Sequence, residues 1–336
     1  MTDQTNVLRP SRRTLIGGAT ALGLASATRA GAAVADAPAL LVSTWDFGAA
    51  ANKAGFARLS VGGSILDAVE AGARVPEADP EVHTVGLGGY PDRDGRVTLD
   101  AVIMDDKGGV GAVAAMEDVV HAVSVARAVM EKTPHTLLVG DGATQFALAN
   151  GFEKAKLLTP DAEKAWRDWL KTANYTPVAN IENRKPLGDA RDHDTIGILG
   201  RDGNGNLAGA CTTSGMAFKM HGRVGDSPQV GCGLYVEAGV GAATSSGLGE
   251  EVTRTAGSAR VVASMRAGMD PTAACREAVM HIAKLRGDAI RDVQVGFLAI
   301  DRNGCPGAFA LMAGFTYAVT DAQGRTVMHP AASLQA

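Results

Sequence analysis

The chain has 336 residues, of which 46% are apolar and 20% charged, with a net charge of −4 and a mean hydropathy near zero. That length and balance supply a folded core for one large or two ordinary domains and exclude a disordered or fibrous chain. The slight acidity and the 4% aromatic content leave neither a basic face for nucleic acid nor a stacking surface for single strands.

The first 35 or so residues read differently from the rest. Ser11-Arg12-Arg13-Thr14-Leu15-Ile16 precedes a small apolar run from Leu15 to Ala27, and Ala30-Gly31-Ala32 and Ala33-Val34-Ala35 are both A-x-A cleavage candidates. This layout is that of a twin-arginine export signal over residues 1–35, removed to leave a mature protein in a bacterial periplasm; a disordered basic arm is the bland alternative. The run falls short of the roughly 20 apolar residues that a spanning helix needs.

Leu40–Ser43 reads as a strand, and helical spacing follows over Ala49–Leu59 and Ser64–Arg74. The glycines at Gly86-Leu87-Gly88-Gly89 run into a turn rather than a helix start, so they are not a dinucleotide fingerprint. Two strands, Val97–Met104 and Val110–Ala115, are joined by a turn, then come a helix over Val123–Lys132, a strand over Thr136–Val139, and helices over Ala143–Asn150 and Pro160–Lys171. Residues 182–192 are charged, broken by Pro186 and Gly188, and lack an apolar face, which predicts an exposed, mobile segment.

That segment ends at His193-Asp194, where the text turns abruptly apolar at Thr195-Ile196-Gly197-Ile198-Leu199. A threonine hydroxyl is a poor nucleophile until a base takes its proton. Cutting the bond between Asp194 and Thr195 would supply one, the new α-amine of Thr195, with a reference pKa of about 7.7–8.0. The same residues also fit an ordinary strand capped by His-Asp.

Beyond Thr195 the sequence predicts a hairpin with its turn at Asp202-Gly203-Asn204-Gly205 and its return over Leu207–Thr213. Helices are predicted over Val252–Ala267 and Pro271–Leu285, the latter with Asp270 as cap, then a hairpin of Val295–Ile300 and Ala308–Met312, and a last strand over Phe315–Val319. Blocks of paired antiparallel strands between helices predict sheets with helices outside rather than a βαβ repeat. Cys211, Cys232, Cys275 and Cys305 are far apart and read as buried small hydrophobes; neither they nor the seven histidines show metal-ligand spacing. No cofactor and no metal is expected.

Three further stretches carry candidate chemistry. Thr213 ends the strand paired with the one that Thr195 begins, so it can set a second hydroxyl beside Thr195, although two threonines also simply suit a β surface. Arg223 and Asp226 in Gly222-Arg223-Val224-Gly225-Asp226-Ser227-Pro228 offer a fork for a carboxylate and a carboxylate for an ammonium, the two ends of a free α-amino acid; an internal Arg223–Asp226 salt bridge is the alternative. Thr244-Ser245-Ser246-Gly247-Leu248-Gly249-Glu250-Glu251 reads as a loop before a helix whose N–H groups, with Ser246, can hold an oxyanion. It lacks the lysine of a phosphate loop, and its two glutamates would repel phosphate; plain loop punctuation is the alternative.

Taken together, His193-Asp194-Thr195-Ile196-Gly197, Thr212-Thr213-Ser214-Gly215-Met216, the Gly222–Pro228 loop and Gly247-Leu248-Gly249-Glu250 resemble a bacterial glycosylasparaginase, a family of N-terminal nucleophile hydrolases. The resemblance runs from Ser43-Thr44-Trp45 to about Val319 with the motifs in the family's order. It implies an α+β fold, the four-layer αββα sandwich, and an inactive precursor that cuts itself between Asp194 and Thr195 into an α chain (36–194) and a β chain (195–336). It further implies Thr195 as nucleophile, Thr213 as helper of its hydroxyl, and Ser246 and Gly247 as oxyanion donors. Arg223 and Asp226 would bind the substrate's α-carboxylate and α-amine, with Gly249, Trp45, Phe47 and Thr84 also at the substrate. The implied reaction is hydrolysis of the β-amide linking N-acetylglucosamine to asparagine through a β-aspartyl enzyme. The expected partners are that small substrate, the two chains of one precursor and a second αβ unit in a homodimer, with no nucleic acid and, after signal removal, no membrane.

Ser246 stands where the family usually has Thr, Thr84 where serine is common, and Tyr90 follows Gly88-Gly89 where other residues occur, which bears on substrate preference more than on reaction type. An isoaspartyl dipeptidase or plant-type L-asparaginase shares Gly-Arg-Val-Gly-Asp-Ser-Pro but usually has Gly before the nucleophile, where this chain has Asp194. A rival of another class is a periplasmic amino-acid-binding protein that keeps the Arg223/Asp226 clamp and never cleaves.

Overall fold

Strand alternation and helix caps, both local properties of the sequence, set out the layers. The computed structural model describes residues 38–171, 173, 195–290 and 293–335. The export signal, the charged segment 182–192 and the pair His193-Asp194 lie outside the described residues.

The first sheet contains β1 (Leu40–Thr44), β2 (Leu99–Asp105), β3 (Val110–Met116), β4 (Leu137–Val139), β5 (Ile196–Arg201), β6 (Leu207–Thr213), β11 (Thr316–Thr320) and β12 (Thr326–Pro330), in the order β12-β11-β1-β5-β6-β2-β3-β4. The second contains β7 (Leu234–Glu237), β8 (Gly241–Gly247), β9 (Val295–Asp301), β10 (Pro306–Met312) and β13 (Ala332–Gln335), in the order β13-β10-β9-β8-β7. Every pairing is antiparallel except β3 with β4 and β10 with β13.

Because side chains alternate along a strand, the central strands of the first sheet serve two cores. Leu41, Ile103, Ile198 and Ala210 pack outward against helices α2 (Ile65–Ala78) and α3 (Ala122–Lys132). Their neighbours Val42, Val102, Leu199 and Cys211 pack inward against Leu234, Ala242 and Leu298 of the second sheet. On the far side, Ala243, Phe297 and Leu311 meet α7 (Gly257–Arg266) and α8 (Pro271–Arg286). The result is the expected αββα order of layers.

Caps start the helices where the sequence placed them. Ser64 and Asp67 form a reciprocal capping box on α2, and Asp270 caps α8 ahead of Pro271. The remaining helices are α1 (Gly48–Ser60), α4 (Gly140–Ala149), α5 (Pro160–Leu170) and α6 (Gly249–Thr255).

Four expectations are corrected. The helix expected over Val252–Ala267 is two, because Ala256 takes a left-handed conformation (φ +48°) between α6 and α7. Thr244–Gly247 is the end of a central strand, β8, rather than a loop; its polar side chains are buried and satisfied by neighbouring backbone and side chains, which composition alone does not show. The Phe315–Val319 strand is not the last, since β12 and β13 follow. Cys305 is exposed, whereas Cys211, Cys232 and Cys275 are buried as expected.

Candidate active site

Thr195 stands one residue ahead of β5 and is 5% exposed. The β5–β6 register pairs Ile196 with Thr212, which sets Thr195 opposite Thr213. Both belong to the alternate positions that face the second sheet, whereas Thr212 turns to the helix layer and donates to buried Glu77 at 2.8 Å.

Three groups hold Thr195. The Thr44 hydroxyl donates to its carbonyl at 2.7 Å and accepts the Gly197 N–H at 3.0 Å. The Thr195 N–H points to Ser246 Oγ at 3.3 Å, and Trp45 Nε1 donates to the same oxygen at 2.8 Å. Ser246 therefore accepts twice and keeps its own proton to give. Ser227 Oγ lies 3.5 Å from Thr195 Oγ1. Trp45 has a positive φ (+62°), costly for a bulky residue; its N–H on Thr316 and its edge-to-face contact with Phe315 keep it there.

Thr213 is fixed by its surroundings: its hydroxyl donates to the Thr84 carbonyl at 3.0 Å and accepts the Gly215 N–H at 2.9 Å. An open cavity gathers Thr195, Thr213, Arg223, Asp226, Ser227 and Gly247 in its wall.

The charged end of the cavity has its own order. Arg223 Nε and Nη2 grip both oxygens of Glu250, at 2.9 and 2.8 Å. The Asp226 carboxylate takes the Ser245 hydroxyl at 2.6 Å. Among the described residues, Arg223 of this loop therefore pairs with Glu250 rather than with Asp226. Burial pushes the Asp226 carboxyl above its ordinary value, against the Ser245 hydrogen bond and the Arg223 charge. Glu250 goes the other way: burial works to raise it, but the Arg223 hydrogen bonds hold it below the ordinary range. A Cβ on Gly249 would lie 2.6 Å from Asp226 Oδ1, so only glycine lets this carboxylate reach its place.

The cavity thus sets the hydroxyls of Thr195, Thr213 and Ser227 beside the charged side chains of Arg223 and Asp226. The family model described as Asparaginase matches residues 27–328. The chain belongs to this family of N-terminal nucleophile hydrolases. Among the relatives of this asparaginase-family chain, the N(4)-(β-N-acetylglucosaminyl)-L-asparaginase of Elizabethkingia miricola is 53% identical over 299 residues, 88% of this chain and 85% of the relative. The protein of the same name from Mus musculus is 41% identical over 268 residues, 73% of this chain and 77% of its own.

The remaining expected residues are distributed around this centre. Phe47 leads into α1 and packs with Ala51, Val85 and Ile196, outside the residues that line the cavity. Thr84 is buried and reaches the site through its carbonyl, while its own hydroxyl has no hydrogen-bond partner among the described residues. Ser246 and Gly247, expected in a loop before a helix, close β8, and the short α6 begins only at Gly249. Sequence reasoning did not assign Thr44, Ser245, Glu250, Asp100 or Lys219. Thr44 and Glu250 lay within quoted motifs, yet nothing in their type distinguished them.

Proposed function

We propose that the protein is an amidohydrolase that releases aspartate from N4-(β-N-acetylglucosaminyl)-L-asparagine, with Thr195 as a nucleophile uncovered by self-cleavage after Asp194. The observation that carries the reading is the position of Thr195: its nitrogen and hydroxyl lie beside Ser246 and Ser227 in the same cavity as Arg223 and Asp226. Membership of the family and the names of the relatives support the substrate.

In the uncut chain the Thr195 hydroxyl attacks the Asp194 carbonyl carbon. The N–C bond breaks and the nitrogen takes the proton, which frees the Thr195 amine; water then hydrolyses the ester so formed, releasing the Asp194 carboxyl and restoring the Thr195 hydroxyl. In turnover that amine, neutral above its reference pKa of about 7.7–8.0, accepts the hydroxyl proton as Oγ attacks the substrate's side-chain amide carbon. The developing oxyanion takes the Ser246 proton and the Gly247 N–H as donors. Collapse returns the proton to the leaving glycosylamine, and water then cleaves the β-aspartyl ester. Arg223 holds the α-carboxylate by the guanidinium edge turned away from Glu250, and Asp226 holds the α-ammonium.

Denaturing electrophoresis with N-terminal sequencing tests the first half: a fragment of 142 residues beginning at Thr195 is expected. A chain that stays whole after purification would refute it. Rates on glycosyl-asparagine, asparagine and β-aspartyl dipeptides test the second half, with glycosyl-asparagine expected to be fastest.

A further inference from the structure

Next to the cavity lies a buried ion pair that none of these steps uses. The side chains of Asp100 and Lys219 are 0% and 1% exposed, with Nζ 3.8 Å from Oδ2. Opposite charges taken out of water at that separation recover little of their desolvation cost, so such a pair is a poor stabilising device. Asp100 Oδ1 accepts the Ala115 N–H at 2.7 Å, but among the described residues Oδ2 is buried without a hydrogen-bond partner.

The location of the pair is what gives it a use. Asp100 is registered against Thr213 across β2 and β6, and Thr213 stands opposite Thr195, so the three occupy one row on the face between the sheets. Lys219 Nζ donates to the Ser214 carbonyl at 2.8 Å, in the corner where the Gly215 N–H returns to Thr213 Oγ1. Gly215 has a positive φ (+77°), and a Cβ there would sit 2.6 Å from Lys219 Nζ and 3.4 Å from Arg223 Nη1. Two cations thus converge on a glycine that itself lines the cavity. Arg223 turns its Nε and Nη2 to Glu250, while Lys219 faces Asp100.

We propose that Lys219 is a positioning residue for the substrate's α-carboxylate, a second cation behind Arg223 held in place by Asp100, and that it fixes the Ser214–Gly215 corner through its bond to the Ser214 carbonyl. The inference rests on the amino-acid substrate reading above. Its charge draws the carboxylate toward the Arg223 side of the cavity without touching the reacting amide, so its loss belongs in binding rather than in turnover.

Steady-state kinetics on N4-(β-N-acetylglucosaminyl)-L-asparagine and inhibition by L-aspartate test this with wild type, Lys219→Met and the double variant Asp100→Asn/Lys219→Gln. The double variant removes both charges while keeping groups able to hydrogen-bond. Expected for both variants are a KM and an aspartate inhibition constant raised by about tenfold or more, with kcat within about threefold of wild type. Unchanged KM and inhibition constants in the double variant, beside a wild type that binds aspartate, would overturn this inference alone. A wild type that neither turns over the substrate nor binds aspartate would instead sink the amino-acid reading itself. Variants that stay uncut or lose their cooperative melting transition would assign the pair to folding and overturn its role in binding.

Discussion

The two ends of the cavity are held by different forces. Around Thr195 the contacts among the described residues join neutral groups: Thr44, Trp45, Ser246 and, one strand over, Thr213 on the Thr84 carbonyl, all on strands or at strand ends, with Ser227 added from the β6–β7 connection. Around Arg223 and Asp226 each contact involves a charged group, and Lys219, Arg223 and Asp226 sit on the connection between β6 and β7. Neutral hydrogen bonds are short-ranged and directional, so they fix an angle of attack; buried charges act over distance and depend on ionisation. The difference assigns geometry to one end and affinity to the other. Changes at the Thr195 end belong in kcat, and changes at the Arg223 end belong in KM.

The strongest test of the neutral end removes the nucleophile. Thr195→Ala should leave a single uncut band and lower amidase activity by about 10⁴-fold or more, since groups acting as one unit fail together; retained turnover would take Thr195 out of the mechanism. At the charged end, Arg223→Lys replaces a planar fork by a point charge that cannot grip Glu250 and a substrate carboxylate at once. A rise in KM of about tenfold to a hundredfold, with kcat changed only a few-fold, is expected. If kcat fell instead and KM held, the division between the two ends would be broken.

Much of this arrangement was legible in the sequence because the signals were local. Ser64 before Asp67, Asp270 before Pro271 and the Asp202–Gly205 turn each fix an element boundary through side-chain bonds to nearby backbone. The hairpin register then put Thr213 across from Thr195. What escaped was long-range. Thr44 meets Thr195 across 151 positions of sequence, and Trp45 meets Ser246 across 201, so no spacing rule connects them. The strand β8 looked like a loop because Thr244, Ser245 and Ser246 are polar, yet each is buried with a partner supplied by another segment. Glu250 read as a repeller of phosphate; its place in the Arg223 fork is visible only once α6 is packed beside the Gly222–Pro228 loop.

Glu250 gives a smaller test of the same division. It grips Arg223 at two points but is partly exposed, so its substitution is discounted for solvent screening. Glu250→Gln should loosen the guanidinium and raise KM by about fivefold or less, with kcat unchanged. A larger effect on kcat than on KM would place Arg223 in the chemical step and blur the two ends.

The smallest effect is a shift along the pH axis, and its sign follows from Asp226. Burial raises this carboxyl above its ordinary value, and the Ser245 hydroxyl opposes that by favouring the ionised form. Only the ionised form attracts an ammonium, so KM should climb on acidification at a higher pH than an ordinary carboxylate would set. Ser245→Ala removes an opposing hydrogen bond, so the folded-state pKa rises further and the acid rise in KM begins at still higher pH. At alkaline pH, where Asp226 is ionised in both proteins, kcat should coincide, because Ser245 meets Asp226 and the Cys232 carbonyl rather than Thr195. Measuring KM and kcat against pH for wild type and Ser245→Ala therefore separates the ends within one residue of Ser246: a displaced KM profile with an unmoved kcat profile keeps them distinct, and a joint displacement would show that the oxyanion strand and the ammonium site titrate as one unit.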